Sequence, residues 1–167
     1  DRIFMVPGNH DIDWKTSEQC YRKIDYASDL DRYADEPSSR IRRRQVADRI
    51  QLFERIEELY DARLRRFFDF YHRFYEGRRS FPPSGSLSYV ISEVPDRRKV
   101  ILVGFSTCDY VDHLNNIPSV NRDAILSSFR RLNNEPGLAD AIRIAVWHHG
   151  LRSDSRALDH LDQNILE

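Results

Sequence analysis

Apolar runs that end abruptly in polar residues constrain the fold of this chain more than any other feature. Residues 2–6 predict a short strand, and a Pro-Gly turn leads from it directly into Asn9, His10 and Asp11. The later apolar run 142–147 also ends in polar residues. Open α/β sheets place ligands and catalytic groups at the C-terminal ends of such strands. The pattern therefore predicts an α/β fold with a functional site at strand ends.

The remainder of the chain contains patterns typical of both strands and helices. Residues 86–94 and 100–105 are rich in β-formers and flank a turn, so they predict a hairpin. The second of these runs is continuously apolar, as in a strand that is buried on both faces. Asn121 or Ser119 can cap a following helix. A last helix is predicted over about 155–166.

A long segment with helical periodicity separates the first strand from the hairpin. Its apolar residues recur mostly every three or four positions, and they include Val46, Ile50, Phe53, Leu64, Phe67, Tyr71 and Phe74. That spacing makes one apolar stripe on a helix. No glycine or proline interrupts the segment before Gly77. We therefore predict a helical insertion at about 38–77, either one helix or two helices with a bend.

Composition limits the class of protein. The chain has 167 residues, of which 40% are hydrophobic and 32% charged, and this length and mixture suit one globular domain. The net charge of −1 gives no overall attraction to nucleic acid or to an anionic membrane. No apolar run is long enough to span a bilayer. Two cysteines, Cys20 and Cys108, do not make a disulfide framework, so we expect a reducing, cytoplasmic setting.

Two separate stretches carry a family resemblance. Gly8-Asn9-His10-Asp11 resembles the Gly-Asn-His-Asp/Glu block of calcineurin-like metallophosphoesterases, and residues 142–150 resemble the later strand of that family, which ends in histidines. The resemblance implies an α/β/β/α sandwich of two sheets, of which residues 1–167 would form a part that carries the helical insertion. It also implies metal-dependent hydrolysis of phosphomonoesters or phosphodiesters by a hydroxide that bridges two metal ions.

The resemblance assigns a role to each polar residue of the two blocks. Asn9 and His148 would be metal ligands, and His10 would be the acid that assists the leaving oxygen. Asp11 would belong to the catalytic group by orienting its neighbours, and His149 would line the pocket or contact the phosphate. Imidazole and carboxylate ligands suit Mn, Fe, Zn or Ni, so two divalent ions of this kind are expected. Alternatively, Asn9 and Asp11 are turn residues and the histidines make structural hydrogen bonds.

Three other blocks of the family do not occur in the sequence. An Asp-x-His block and a Gly-Asp block would precede Asp1, and a Gly-His-x-His block would follow Glu167. We therefore expect the chain to be an internal piece of a larger polypeptide, which would supply the missing ligands. The parent protein is expected to be an enzyme, whereas the chain alone would hold too few ligands to be active.

Two alternative functions remain open at this point. The chain could be a non-catalytic interaction module of degenerate phosphoesterase fold, whose aromatic helix docks a partner. It could also belong to a nuclease of the same family, because residues 40–44 form a basic cluster at the predicted start of the insertion that could meet a phosphate backbone. A charge run of this kind is more often a solvated face.

Overall fold

The computed structural model describes residues 3–24, 40–82, 89–94, 99–138 and 140–150. Within these ranges the chain is a mixed α/β protein with two small sheets. Its strands are β1 Tyr21–Ile24, β2 Ile41–Val46, β3 Arg49–Arg55, β4 Tyr89–Val94, β5 Val100–Phe105 and β6 Ile142–Val146. Its α-helices are α1 Trp14–Gln19, α2 Glu57–Tyr60, α3 Arg65–Phe74 and α4 Arg122–Asn134, and 3₁₀ turns cover Asn9–Asp11 and Asp61–Leu64. No helix in these ranges is long and apolar enough to cross a membrane.

The sheet β4-β5-β6 determines where the candidate site lies. β4 runs antiparallel to the central strand β5, with Tyr89 opposite Phe105, so the predicted hairpin is confirmed for its described part. β6 runs parallel to β5, with Val100 opposite Ile142. Parallel neighbours need a crossover connection, and α4 lies within it. Because β5 and β6 point the same way, their carboxyl ends meet at one edge of the sheet.

Helix α4 covers one face of this sheet. Asn121 caps it, because the Oδ1 atom of Asn121 accepts hydrogen bonds from the backbone N–H groups of Asp123 at 2.9 Å and Ala124 at 3.3 Å. The prediction of a cap at this position is confirmed. The buried core between helix and sheet consists of Tyr89, Ile101, Val103, Phe105, Val120, Ala124, Leu132 and Leu138.

Helix α3 and the first described residues cover the opposite face. An aromatic cluster of Phe67, Tyr71, Tyr75 and Phe81 packs there with Met5, Val6 and Val90. Gly104 of β5 lets the first segment approach closely. A Cβ at that position would lie 2.7 Å from both a ring carbon of Phe4 and Cγ1 of Val6, so only glycine fits without movement.

The prediction of a strand over residues 2–6 is wrong for the described residues 3–6, which belong to no ladder. β5 already pairs with β4 on one side and β6 on the other, so the segment can reach this strand only across its face. Its backbone is instead anchored by a side chain, since the Tyr75 hydroxyl donates to the Ile3 carbonyl at 2.7 Å.

The prediction of a helical insertion at about 38–77 is wrong in its first half. Residues 41–55 form the hairpin β2–β3, which β1 extends into the antiparallel sheet β1-β3-β2. The turn between β2 and β3 is Ala47-Asp48, in which Ala47 has φ 51°, and it lacks the glycine that usually identifies a two-residue hairpin. The second half is helical, in α2, the 3₁₀ turn and α3. The predicted last helix, 155–166, lies outside the described residues.

Candidate functional site

The candidate site lies at the shared carboxyl edge of β5 and β6. His148 and His149 follow β6 after one intervening residue, and residues 106–109 follow β5. The 3₁₀ turn Asn9–Asp11 arrives at the same edge from the first segment. Three parts of the chain that are distant in sequence therefore meet at a position where α/β sheets commonly bind ligands.

Asp11 closes the turn that presents Asn9. Its Oδ2 atom accepts a hydrogen bond from the backbone N–H of Gly8 at 2.8 Å, while its own N–H donates to the Gly8 carbonyl at 3.0 Å. This pair of contacts holds the turn, which fits both the predicted orienting role of Asp11 and the alternative that it is a turn residue. A more direct catalytic role for Asp11 stays a prediction.

Asn9 and His148 face each other across 139 residues of sequence. The Oδ1 atom of Asn9 lies 3.1 Å from the Nε2 atom of His148, so the imidazole donates to the amide oxygen when Nε2 carries the proton. Gly8 makes the approach possible, because a Cβ there would lie 2.8 Å from three atoms of the His148 ring. We call Gly8, Asn9 and His148 the strand-end corner.

The separation of the two facing atoms of the corner would suit two ligands of one metal ion. Metal–nitrogen and metal–oxygen bonds of about 2.1 Å place two ligands at right angles about 3 Å apart, which is close to the observed separation. An amide oxygen and an imidazole nitrogen are also suitable donors for the divalent ions expected from the sequence. Within the described residues, however, no group of three or more His, Cys, Asp or Glu side chains could hold a metal together.

The two adjacent histidines point in different directions. The His149 side chain is 3% exposed, and its Nδ1 atom lies 2.6 Å from Oγ1 of Thr107 in the loop after β5. The rings of His148 and His149 meet edge to face with centroids 4.9 Å apart. His149 thus ties the end of β6 to the end of β5, whereas its predicted contact with substrate phosphate stays a prediction.

His10 is exposed and lines a small cleft beside the corner. The cleft has a volume of about 210 Å³ and is lined by His10, Asp11, Ile12, Asp13, Arg66, Phe67 and Phe70. Arg66 lies 3.3 Å from Asp13 through Nη2 and Oδ2. A hydrogen bond from the Thr16 backbone lowers the pKa of Asp13, and the positive charge of Arg66 lowers it further against an opposing effect of burial. The wall of the cleft therefore combines a cation with an aromatic ring.

Sequence reasoning missed Arg63, which is fully buried behind the site. Its guanidinium donates to the carbonyl oxygens of Tyr60 at 2.9 Å, Cys108 at 2.8 Å and Val111 at 3.1 Å, and also to that of Asp109. It also lies over the Tyr60 ring, 3.6 Å from the centroid. A signal was present, because Arg63 lies four residues before Phe67 of the predicted apolar stripe.

Asp112 is the second buried charge behind the site. Its carboxylate accepts hydrogen bonds from the hydroxyls of Tyr21 at 2.8 Å and Tyr60 at 2.9 Å, and from the backbone N–H groups of Leu114 at 2.8 Å and Asn115 at 2.9 Å. Burial raises the pKa of both tyrosines well above their ordinary value, and the Asp112 charge raises it further, so both hydroxyls keep their protons and donate. We call Arg63 and Asp112 the buried brace.

The brace fixes the loop that joins the end of β5 to the rest of the site. Cys108 in that loop contacts the Pro7 carbonyl through its sulfur at 3.8 Å, immediately before the corner. Burial raises the pKa of the Cys108 thiol, so it remains protonated and acts as a donor. Asp112 also lies in this loop and organises it through the contacts of its carboxylate.

The basic cluster 40–44 does not act as one surface. It lies mainly on β2, and Arg42 is 3% exposed with Nε 3.8 Å from Oδ2 of Asp112. Arg40 lies 3.2 Å from Glu57. Arg43 and Arg44 are exposed. The prediction that these residues form a basic cluster at the start of a helix is wrong, because most of them lie on a strand. Arg42 contacts Asp112 of the buried brace instead.

Comparison with protein-family models, with characterised proteins and with solved structures finds no match to this chain. The resemblance to metallophosphoesterases therefore rests on the sequence of residues 8–11 and 142–150 alone.

Proposed function

We propose that this chain carries one corner of the active site of a metal-dependent phosphoesterase, which hydrolyses phosphomonoesters or phosphodiesters. The observation that carries the proposal is the 3.1 Å approach of Asn9 Oδ1 to His148 Nε2. These are the two residues that the family resemblance assigns to metal binding, and they come from separate segments. Gly8, the first residue of the resembling block, is the position whose lack of a side chain permits the contact.

We also propose that the sheet β4-β5-β6 is one of the two sheets of a metallophosphoesterase sandwich. Two observations support this assignment. Helices cover both of its faces, α3 on one and α4 on the other. The corner lies at the carboxyl ends of its parallel pair, β5 and β6.

Two divalent ions (Mn, Fe, Zn or Ni), when bound, would supply the activated water and the positive charge that stabilises the transition state. Asn9 and His148 would hold one of them through the atoms that now face each other. His148 must be neutral to act as a ligand, so metal binding would compete with protonation of this residue. The bond from His149 to Thr107 would keep the end of β6 in place.

His10 would donate a proton to the leaving oxygen of the ester. Its ring is exposed at the mouth of the 210 Å³ cleft, so a leaving group could enter beside it. Phe70 supplies an apolar wall for that group, and Arg66 supplies a positive charge for a phosphate oxygen. General acid catalysis of this kind typically contributes about 10²–10⁴-fold.

The test is the hydrolysis of an aryl phosphate monoester and diester by the full-length protein with added Mn²⁺. We expect Asn9→Ala, His10→Ala and His148→Ala each to lower kcat/KM by about 10²-fold or more. His72→Ala, which removes an exposed histidine of α3, is the matched control and should leave the rate unchanged. Unchanged rates and metal content in all three site variants would contradict the proposal.

A non-catalytic interaction module is the second candidate, and one observation favours it. Phe70 and Phe74 of α3 are 48% and 42% exposed, and their rings lie 5.9 Å apart. Exposed aromatic pairs of this kind are typical of protein interfaces. This candidate predicts that the full-length protein binds no Mn²⁺, whereas the first candidate requires such binding.

A further inference from the structure

A second and larger cleft lies along the edge of β4, away from the corner. It has a volume of about 550 Å³, and five consecutive residues of β4, 89–93, line it. Successive side chains of a strand point to opposite faces of the sheet. A cleft that touches all five residues must therefore run along the edge of the strand rather than over one face.

The edge of β4 that faces the cleft carries backbone hydrogen-bonding groups. In the part of the chain that the structure describes, β4 has a ladder partner on one side only, which is β5. The other side of an edge strand presents a row of N–H and C=O groups that can pair with a further strand. Peptides commonly bind to proteins by adding a strand at such an edge.

Side chains from both layers of the fold form the walls of this cleft. Tyr71 of α3 and Arg78 and Arg79, which follow that helix, lie on the side where Val90 packs. Arg131 of α4 lies on the other side, where Tyr89 packs. An added strand would project its side chains alternately toward these two walls, and each wall contains arginine.

The charge of the cleft favours an acidic ligand. Its lining includes three arginines, Arg78, Arg79 and Arg131, and one glutamate, Glu93. Arg78 and Arg131 also contact acids on the surface: Arg78 lies 3.3 Å from Glu76, and Arg131 lies 3.6 Å from Glu135. These side chains are exposed, and exposed ion pairs contribute little, so incoming carboxylates could replace them at small cost.

We propose that the edge of β4 binds an extended acidic peptide as a fourth strand of the sheet. Backbone groups of residues 89–93 would pair with the peptide backbone. Carboxylates on one side of the peptide would meet Arg78 and Arg79, and those on the other side would meet Arg131. A small phosphate ligand would use the arginines but not the strand edge, and therefore fits the shape of the cleft less well.

The test measures the fluorescence anisotropy of a labelled decapeptide that contains glutamate and valine, titrated with the whole chain. Two comparison peptides separate charge from strand pairing: one has lysine in place of glutamate, and one has proline in place of valine. We expect the acidic peptide to bind, the lysine peptide not to bind, and the proline peptide to bind at least about tenfold more weakly, because proline cannot donate to a ladder.

Variants of the chain locate the binding. Arg78→Gln and Arg131→Gln should each weaken binding of the acidic peptide by about tenfold, the effect of losing one charge-assisted contact. The matched control is Arg130→Gln, which changes an exposed arginine of α4 outside the cleft and should have no effect. Amide hydrogen exchange should slow at residues 89–93 when the peptide binds, which also shows that the fold is intact.

Three results would overturn the proposal. Equal binding of the proline peptide would show that charge alone attracts the ligand. Equal weakening by Arg130→Gln would show that the binding is not confined to the cleft. Tight binding of pyrophosphate without binding of the acidic peptide would assign the cleft to phosphate ligands instead.

Discussion

The strand-end corner and the buried brace behind it differ in exposure and in the groups that they contact. His148 is exposed and Asn9 half-buried, and one hydrogen bond connects them. Arg63 and Asp112 are buried, and each has several hydrogen-bond partners. On the proposed function, a ligand must reach the corner, whereas the brace must hold the loop after β5 in place. The chain meets these two requirements with different residues, so stability and activity should be separable by substitution.

Substitution of the brace should have the largest effect on stability. Arg63→Ala removes a buried guanidinium that contacts four carbonyl groups and the ring of Tyr60, and each of those carbonyls loses one donor. We expect the free energy of unfolding to fall by about 3–5 kcal/mol. Urea denaturation followed by circular dichroism measures this change.

The matched control for the brace is Arg65→Ala, two residues further along. The Arg65 side chain is 79% exposed and lies 3.9 Å from Asp69. Its removal should lower the free energy of unfolding by less than about 0.5 kcal/mol. If Arg63→Ala and Arg65→Ala lowered the free energy of unfolding equally, the buried brace would contribute no more to stability than an exposed arginine, which would contradict this prediction.

Gly8→Ala should affect the corner more than the brace. The added Cβ would lie 2.8 Å from the His148 ring, so the ring must move away from Asn9. We expect kcat/KM of the full-length protein to fall by about 10²-fold, whereas the free energy of unfolding should change by only about 1 kcal/mol. Because both substitutions act on the same contact, adding His148→Ala to Gly8→Ala should lower kcat/KM little further. If the losses in kcat/KM of the two substitutions were additive, Gly8 would act on something other than the contact between Asn9 and His148.

Arg66→Ala should produce a smaller change, confined to substrate binding. Arg66 lines the cleft beside His10 but has no contact with the corner among those the structure shows. We expect KM for an aryl phosphate to rise by about three- to tenfold with little change in kcat, as for a contact that is equally strong in the ground state and the transition state. A fall in kcat with constant KM would place Arg66 in the chemistry of the reaction.

The smallest predicted effect concerns acid stability near the brace. Burial lowers the pKa of His113 below its ordinary value of 6.5, although Asp112 and Glu18 oppose the shift. Below that ordinary value the unfolded chain binds the proton more readily than the folded chain, so stability falls as the pH drops through it. His113→Gln should therefore lose less stability than the wild type between about pH 7 and pH 5. If the free energy of unfolding of His113→Gln and of the wild type fell in parallel over this pH range, His113 would not be a cause of the loss of stability in acid.

Local and short-range features of the site were predictable from the sequence. Asn121 caps α4 through its own side chain, and the apolar run of β5 is buried, because each signal lies within a few residues. The resemblance assigned both Asn9 and His148 to metal binding, and the structure places Oδ1 of Asn9 3.1 Å from Nε2 of His148. His148 and His149, which both follow the end of β6, have different environments, because His148 is exposed and His149 is buried.

Features that depend on tertiary pairing could not be predicted in this way. Residues 41–55 match a helical period, but pairing with β1 converts them into strands of a small sheet. The first segment looks like a strand, but both sides of β5 are already occupied. Asp112 gave no signal at all, because its partners Tyr21 and Tyr60 are far from it in sequence.

The most direct test of the central claim is a Mn²⁺ titration of the full-length protein, followed by NMR of the Asn9 side-chain amide and the His148 imidazole. If these two residues share a metal ion, both resonances should broaden together at the lowest Mn²⁺ concentrations, while those of the exposed His72 ring remain sharp. Asn9→Ala should then shift the broadening of His148 to higher Mn²⁺ concentrations by at least about tenfold. Broadening of His148 that is unaffected by Asn9→Ala, or equal broadening of His72, would contradict the account.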